Sequence, residues 1–357
     1  MSDVLEATDL TPGSKFTNPG HGDAFTDHMF SMSWTETKGW HGRQLGRLTA
    51  IAIHPGMLGL HYAQVIFEGM KAFRQQDGSM AVFRPEQNAR RFQASARRLS
   101  MPELPEADFL DAVDQVVAAD QESLSDNPEH SIYLRPLMYG SEANLMLRPS
   151  REYEFLVMAF VAGGFFGDTP RAVSVFVSRE HTRATPGGTG NVKCAANYGP
   201  TFVAQQTARE AGCEQVVWLD AAEHRWVEEM GGMNMFFVRG RGPGAQIVTP
   251  ALTGTLLPGV TRDSLLTLAV GRGYRVTEER ISVDQWRDEC ASGVVSEVFA
   301  CGTAAVVTPV GRVVDLDGDW TIGDGETGPV TSEMLTALKH IQRGLAADDY
   351  GWMRHVH

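Results

Sequence analysis

The chain has 357 residues, 43% apolar and 21% charged, with 31 basic against 44 acidic side chains. That is enough chain for two globular domains and too apolar for a disordered protein, and a net charge of −13 excludes a general nucleic-acid-binding surface. Only five of the cations are lysines (Lys15, Lys38, Lys71, Lys193 and Lys339), so chemistry that needs a covalent amine has five candidate positions.

In chain order, residues 1–20 read as a polar, Pro/Gly-rich arm with neither the basic start nor the apolar stretch of a signal peptide. Residues 47–53 (RLTAIAI) alternate as a strand does. The apolar runs on either side of Asp77-Gly78 predict a hairpin, since DG is a tight-turn pair. Pro85 opens a helix over 86–100 whose stripe is Ala89, Phe92, Ala96 and Leu99, and a second helix fits 108–122. Strands follow at 131–138 and 153–162, then a Gly-rich connection at 163–171. The second half holds strands near 172–178, 214–219 and 233–239 and helices near 198–211, 262–272 and 331–345. The pattern predicts an α+β or α/β protein of two domains, 21–162 and 172–357, divided by the 163–171 linker.

The longest uncharged apolar run, 155–166, is far short of the roughly 20 residues of a membrane span. Cys194, Cys213, Cys290 and Cys301 form no C-x-x-C pair, and the expectation is a cytoplasmic protein with reduced thiols and no membrane contact. The histidines, His21 and His28 among them, lack acid or Cys partners at a metal-ligand spacing, so no metal site is expected. Asp315, Asp317, Asp319 and Glu326 mimic a calcium loop, but Trp320 stands where the sharp turn wants Gly.

The densest chemical signal is 184–200, ATPGGTGNVKCAANYGP. As a phosphate loop it fails, because Val192 and Cys194 flank the lysine where Gly and Ser/Thr are needed. Lys193 is therefore either a solvated loop lysine or an amine stripped of water, with its pKa lowered for Schiff-base chemistry. Residues 256–262 (LLPGVTR) lead straight into a helix whose first N–H groups suit a phosphate, and 299–304 (FACGTA) end a strand with backbone donors and a hydroxyl. Glu228 and Glu229 sit beside the Gly231-Gly232 pair, which allows close approach to the backbone. Among Arg84, Arg90, Arg91, Arg97 and Arg98, one member could turn inward to a phosphate.

The stretches FTDHM (25–29), LHYAQVIFEGMKAF (60–73), FRPEQNARRF (83–92), YLRP (133–136), GNVKCAANYGPT (190–201), GCEQVVWLD (212–220), EEMGGMNMF (228–236), LLPGVTRDSLL (256–266) and VFACGTAAVVTPV (298–310) cover nearly the whole chain. In that order they resemble the branched-chain amino acid aminotransferases, a family of fold-type IV pyridoxal-phosphate enzymes. The resemblance implies a two-domain architecture like that of D-amino-acid aminotransferase, the second domain being a large pseudo-barrel. It implies transamination of leucine, isoleucine and valine with 2-oxoglutarate on pyridoxal 5'-phosphate, in a homodimer with shared active sites. Lys193 then matches the Schiff-base lysine and proton carrier, Glu229 the partner of the pyridine nitrogen, and Tyr198 the tyrosine on the ring oxygen. Arg91, the N–H groups of Val260 and Thr261, and Thr303 match the phosphate cup. Thr303 and Ala304, with Tyr62 from the partner subunit, match the α-carboxylate site; Phe67, Tyr133 and Arg135 match the side-chain pocket. Tyr62 and Arg135 could anchor the second carboxylate of glutamate.

The chain departs from its animal relatives at Phe165 (tyrosine there), at Gly232 (threonine there), and at Ala305 and Thr308, where a redox C-x-x-C stands. Cys301 reads as a buried core thiol. Two other readings stay open: a different fold-type IV enzyme (a D-amino-acid aminotransferase or aminodeoxychorismate lyase), or a binding protein that has lost the cofactor.

Overall fold

The computed structural model describes residues 19–23, 25–165, 171–242 and 244–356; most of the N-terminal arm and residues 166–170 of the linker lie outside them. The chain forms two compact units, residues 1–168 with 342–357 and residues 169–341.

The first unit runs through β1 (Phe25–Thr35), β2 (Gly39–Arg47), α1 (Leu58–Tyr62), β3 (Val65–Phe67), β4 (Met70–Arg74), β5 (Met80–Phe83), α2 (Pro85–Arg98), α3 (Glu106–Asp120), β6 (Ser131–Gly140) and β7 (Glu152–Ala162). The second holds β8 (Val173–Ser178), α4 (Phe202–Glu210), β9 (Gln215–Leu219), β10 (Val227–Met230), β11 (Met233–Arg239), β12 (Gln246–Pro250), α5 (Val260–Gly271), β13 (Arg275–Glu279), α6 (Val283–Ala291), β14 (Val295–Gly302), β15 (Val306–Val314), β16 (Trp320–Thr321) and α7 (Pro329–Gln342). The chain ends in β17 (Met353–His355), which pairs with β5 of the first unit. The segment 342–357 thus departs from the expectation that the second domain runs to the C-terminus. Its strand satisfies the open edge of β5, and Arg354 ties it to Asp114 of α3 at 2.8 Å.

The first sheet is antiparallel, in the order β17-β5-β4-β6-β7-β1-β2, with β3 also on β6. Successive residues of a strand point to opposite faces, and this alternation divides the unit's chemistry. One face meets α2 and α3 through Phe30, Phe92, Phe109 and Phe155, which touch ring to ring. On the other, Lys71 opposes Tyr133 and Tyr133 opposes Phe160, with Arg135 two residues along β6. The hairpin falls at Asp77-Gly78, where Gly78 has φ +86° and Asp77 accepts from the N–H and hydroxyl of Ser79. The strand expected over 47–53 does not form. Ladder pairing stops at Arg47, and Ile51 and Ile53 are exposed despite their alternation, because no neighbouring strand among the described residues accepts them.

In the second unit the order is β10-β9-β8-β15-β14-β11-β12-β13, and an added β10–β11 pairing closes six strands into a ring. β8 lies parallel to both β9 and β15. The ring is filled by residues such as Phe236 and Phe299, which stack at 5.0 Å.

Candidate active site

Three of the motifs converge through the start of β11. Glu229 on β10 pairs in register with Asn234, and Asn234 pairs with Cys301 at the end of β14. The Asn234 side-chain amide donates to the carbonyl of Leu257 at 3.0 Å and lies 3.4 Å from Oε1 of Glu229. The Leu257 N–H donates to that same Oε1 at 2.6 Å. A side chain at Gly259 would overlap Oδ1 of Asn234, so the turn into α5 needs glycine there for close approach. α5 then begins at Val260 and Thr261 with no side-chain cap, and Thr303 and Ala304 occupy the turn between β14 and β15.

Lys193 lies between Gly190 and two short 3-10 turns. Asn197 fixes this loop by donating to the carbonyls of Thr189 at 2.7 Å and Val192 at 2.9 Å, while accepting from the Thr189 hydroxyl at 2.6 Å. Nζ of Lys193 then donates to the Tyr198 hydroxyl at 3.1 Å. The loop is closely packed at its start, where a Cβ at Gly190 would overlap the carbonyl of Thr255, and Lys193 itself is half-buried.

Arg183 connects this loop to the acid. Its Nη2 donates to the carbonyls of Gly190 and Thr255, and its Nε lies 3.0 Å from Oε2 of Glu229. Both side chains are buried, at 8% and 3% exposure, so the charge of Glu229 is matched inside the protein rather than by water. Sequence reasoning missed Arg183, which stands one residue before the Gly-rich stretch. An arginine beside a glycine turn that must hold a buried acid was the available signal. Glu228 points elsewhere: it accepts from the Thr255 hydroxyl, and burial raises its pKa.

In the first unit, Arg91 turns inward from its cluster, with its side chain only 10% exposed. It forms a two-pronged ion pair with Glu68 at 2.7 and 2.8 Å, whereas Arg90 and Arg97 pair with Glu106 and Glu103 in solvent. Glu68 is fully buried and also accepts from the Asn88 amide at 2.8 Å. It too was missed, although it lies within the FEGMKAF stretch. Phe67, Tyr133 and Arg135 share a sheet face: the Arg135 guanidinium lies 4.8 Å from the ring centre of Phe67 and 5.5 Å from that of Tyr133. Gly69 gives Tyr133 its place, since a Cβ there would overlap the phenol oxygen. Tyr62 is exposed at the end of α1, its hydroxyl donating to the Leu145 carbonyl at 2.8 Å.

Phe165 packs edge-on against His21 at 4.9 Å, and Gly232 faces open space. Cys301 is buried, which raises the pKa of its thiol. His28 pairs with Asp120 at 2.6 Å, and Asp315 is held by Arg179 at 2.6 Å. Among the described residues no helix is long and apolar enough to cross a membrane.

Known proteins share this frame. The family model for amino-transferase class IV matches residues 65–313, and the chain belongs to that family. A branched-chain-amino-acid aminotransferase of Mycolicibacterium smegmatis is 50% identical over 348 residues, 97% of this chain and 95% of the relative. A probable branched-chain-amino-acid aminotransferase of Streptomyces coelicolor is 51% identical over 337 residues, 94% of this chain and 92% of the relative. Among solved structures, the branched-chain amino acid aminotransferase from Escherichia coli superposes with a TM-score of 0.72 at 26% identity, covering 92% of this chain and 99% of that one. A T.th. branched-chain amino acid aminotransferase complexed with N-(5'-phosphopyridoxyl)-L-glutamate gives 0.74 at 27% identity, covering 91% and 98%.

Proposed function

We propose that the protein is a branched-chain-amino-acid aminotransferase. With pyridoxal 5'-phosphate as cofactor it moves the amino group of leucine, isoleucine or valine to 2-oxoglutarate, giving branched-chain 2-oxo acids and glutamate. The observation that carries this reading is the Lys193 amine, 3.1 Å from the Tyr198 hydroxyl, in a loop that Arg183 ties to the buried carboxylate of Glu229. The two relatives at 50% and 51% identity support the substrate class.

The residues present suit the cofactor. A buried acid braced by an arginine and a backbone N–H fits a protonated pyridine nitrogen, and an uncapped helix start fits a phosphate dianion. When bound, the cofactor supplies an electron sink for the pair left on Cα as the substrate loses its proton. Lys193 is the amine that takes the Cα proton and returns it, and Tyr198 orients that amine by its hydroxyl. Glu229 would pair with the ring nitrogen, and Arg183 and the Leu257 N–H hold both of its oxygens in place for that role. The N–H groups of Val260 and Thr261 and the Thr303 hydroxyl are the phosphate donors of the second unit. Thr303 and Ala304 bind the substrate α-carboxylate. Phe67 and Tyr133 form the aliphatic wall, and Arg135 answers the second carboxylate of glutamate.

The enzyme acts as a homodimer in which Tyr62 serves the partner's site. Leu60, Tyr62, Leu145, Met146 and Leu147 are all exposed, and the Tyr62–Leu145 hydrogen bond joins them into one apolar region that a second copy would cover.

A 2-oxo acid panel on the purified protein tests the activity. Turnover of the oxo acids of leucine, isoleucine and valine with glutamate is expected, and activity on D-alanine alone would overturn it. Borohydride treatment should fix the cofactor's mass to the peptide carrying Lys193 and to no other lysine.

A further inference from the structure

His21 lies in the first unit, where the Gly163 N–H holds Gly20 by its carbonyl at 3.4 Å. Its ring stands edge-on to three aromatic rings at once: Tyr133 at 5.2 Å, Phe160 at 5.1 Å and Phe165 at 4.9 Å. A histidine used only as packing would satisfy both ring nitrogens or leave them in water. Here Nδ1 is buried and, among the described residues, has no hydrogen-bond partner. Nε of Arg135 is likewise buried without one, and it belongs to the guanidinium that lies over Tyr133, the ring His21 touches. The charged groups acting on His21 are Lys71 and Arg135, with Asp23 opposing. Burial and the two cations hold its pKa down to about 4, so the ring is neutral and carries one proton that can sit on Nδ1.

Two buried donors without partners, next to a buried lysine, form a region of positive potential that an anion would satisfy. We infer that His21 is a specificity-determining residue: with Arg135 it clamps the distal carboxylate of the dicarboxylate substrate, Nδ1–H of His21 and Nε–H of Arg135 each donating one hydrogen bond. This rests on the aminotransferase reading, under which Tyr133 and Arg135 line the side-chain pocket. The neutral imidazole explains how one pocket serves both substrates. With an aliphatic side chain bound, His21 presents an uncharged ring beside Phe165 and Phe160; with a carboxylate bound, it presents a donor.

The test compares His21→Phe with His21→Asn. The phenyl ring keeps the packing and removes the donor, while the amide keeps a donor. For His21→Phe, the ratio of kcat/KM for 2-oxoglutarate to that for 4-methyl-2-oxopentanoate should fall about tenfold, and glutarate, which cannot react, should bind the holoenzyme about tenfold more weakly by calorimetry. His21→Asn should recover most of both. An unchanged ratio and glutarate affinity in His21→Phe would overturn the clamp, as would an equal loss in His21→Asn, which would mark a packing role. A wild-type protein that binds glutarate but transaminates no branched-chain substrate would sink the aminotransferase reading and leave the clamp standing.

Discussion

Arg183 holds its Nε 3.0 Å from Oε2 of Glu229, with both side chains buried, and the carbonyl of Gly190 accepts from the same guanidinium. The acid and the lysine loop are therefore positioned by one side chain. Arg183→Met leaves a buried carboxylate without its counter-charge and should cost about 3 kcal/mol of stability in denaturant titration. A double variant with Glu229→Gln should lose clearly less than the sum of the single losses, since the two groups share one interaction.

Lys193→Ala should lower turnover by at least about 10³-fold while circular dichroism and the melting transition stay close to wild type. Full activity in this variant would remove the lysine from the mechanism.

Glu228 gives a pH-dependent expectation. Its pKa is raised by burial, so the folded state holds this proton more tightly than the unfolded chain does. The associated stability is present in acid, below the unfolded carboxylate value, and is lost as pH rises through the raised one. Glu228→Gln, which cannot ionise, should raise the melting temperature at pH 8 and change it little at pH 4. A larger gain at pH 4 would show the sign to be wrong.

Gly69→Ala pushes a methyl group into the Tyr133 hydroxyl. The ring must shift, at a cost of about 1–3 kcal/mol, and KM for branched-chain substrates should rise several-fold more than kcat falls. Steady-state kinetics beside thermal melts would separate the two effects.

The proposed sharing of sites between two subunits predicts complementation. When inactive Tyr62→Ala and Lys193→Ala proteins are unfolded together and refolded, random pairing gives about half mixed dimers, each with one intact site, so about a quarter of wild-type activity should return. No recovery would place Tyr62 in its own subunit's site.

Much of this was legible in the sequence because local chemistry agreed with the fold. Asp77-Gly78 encoded its turn, Pro85 its helix start, and the Ala89–Phe92–Ala96 stripe its buried face. Lys193, Glu229 and the α5 start stood in motifs dense enough to single out. What escaped depended on distant partners. Arg183 matters only because Glu229, 46 positions later, is folded back onto it. Glu68 matters through its distant partners Arg91 and Asn88, and His21 because β6 and β7 bring Tyr133 and Phe160 against it. The 47–53 alternation misled for the opposite reason: it looked like a strand, but a strand needs a neighbour to pair with.

The pairing of β17 with β5 has a consequence for how the chain is made. During synthesis the strands β1 to β7 emerge before the second unit, yet the β5 edge of their sheet stays open until β17 has been made. The second unit, continuous in sequence, has its last strand, β16, by Thr321 and ends at Ile341, before β17 begins at Met353. The part translated first is thus the part completed last. A truncation of about a dozen residues at the C-terminus would expose an unpaired strand edge on the half of the molecule furthest from the cut in sequence.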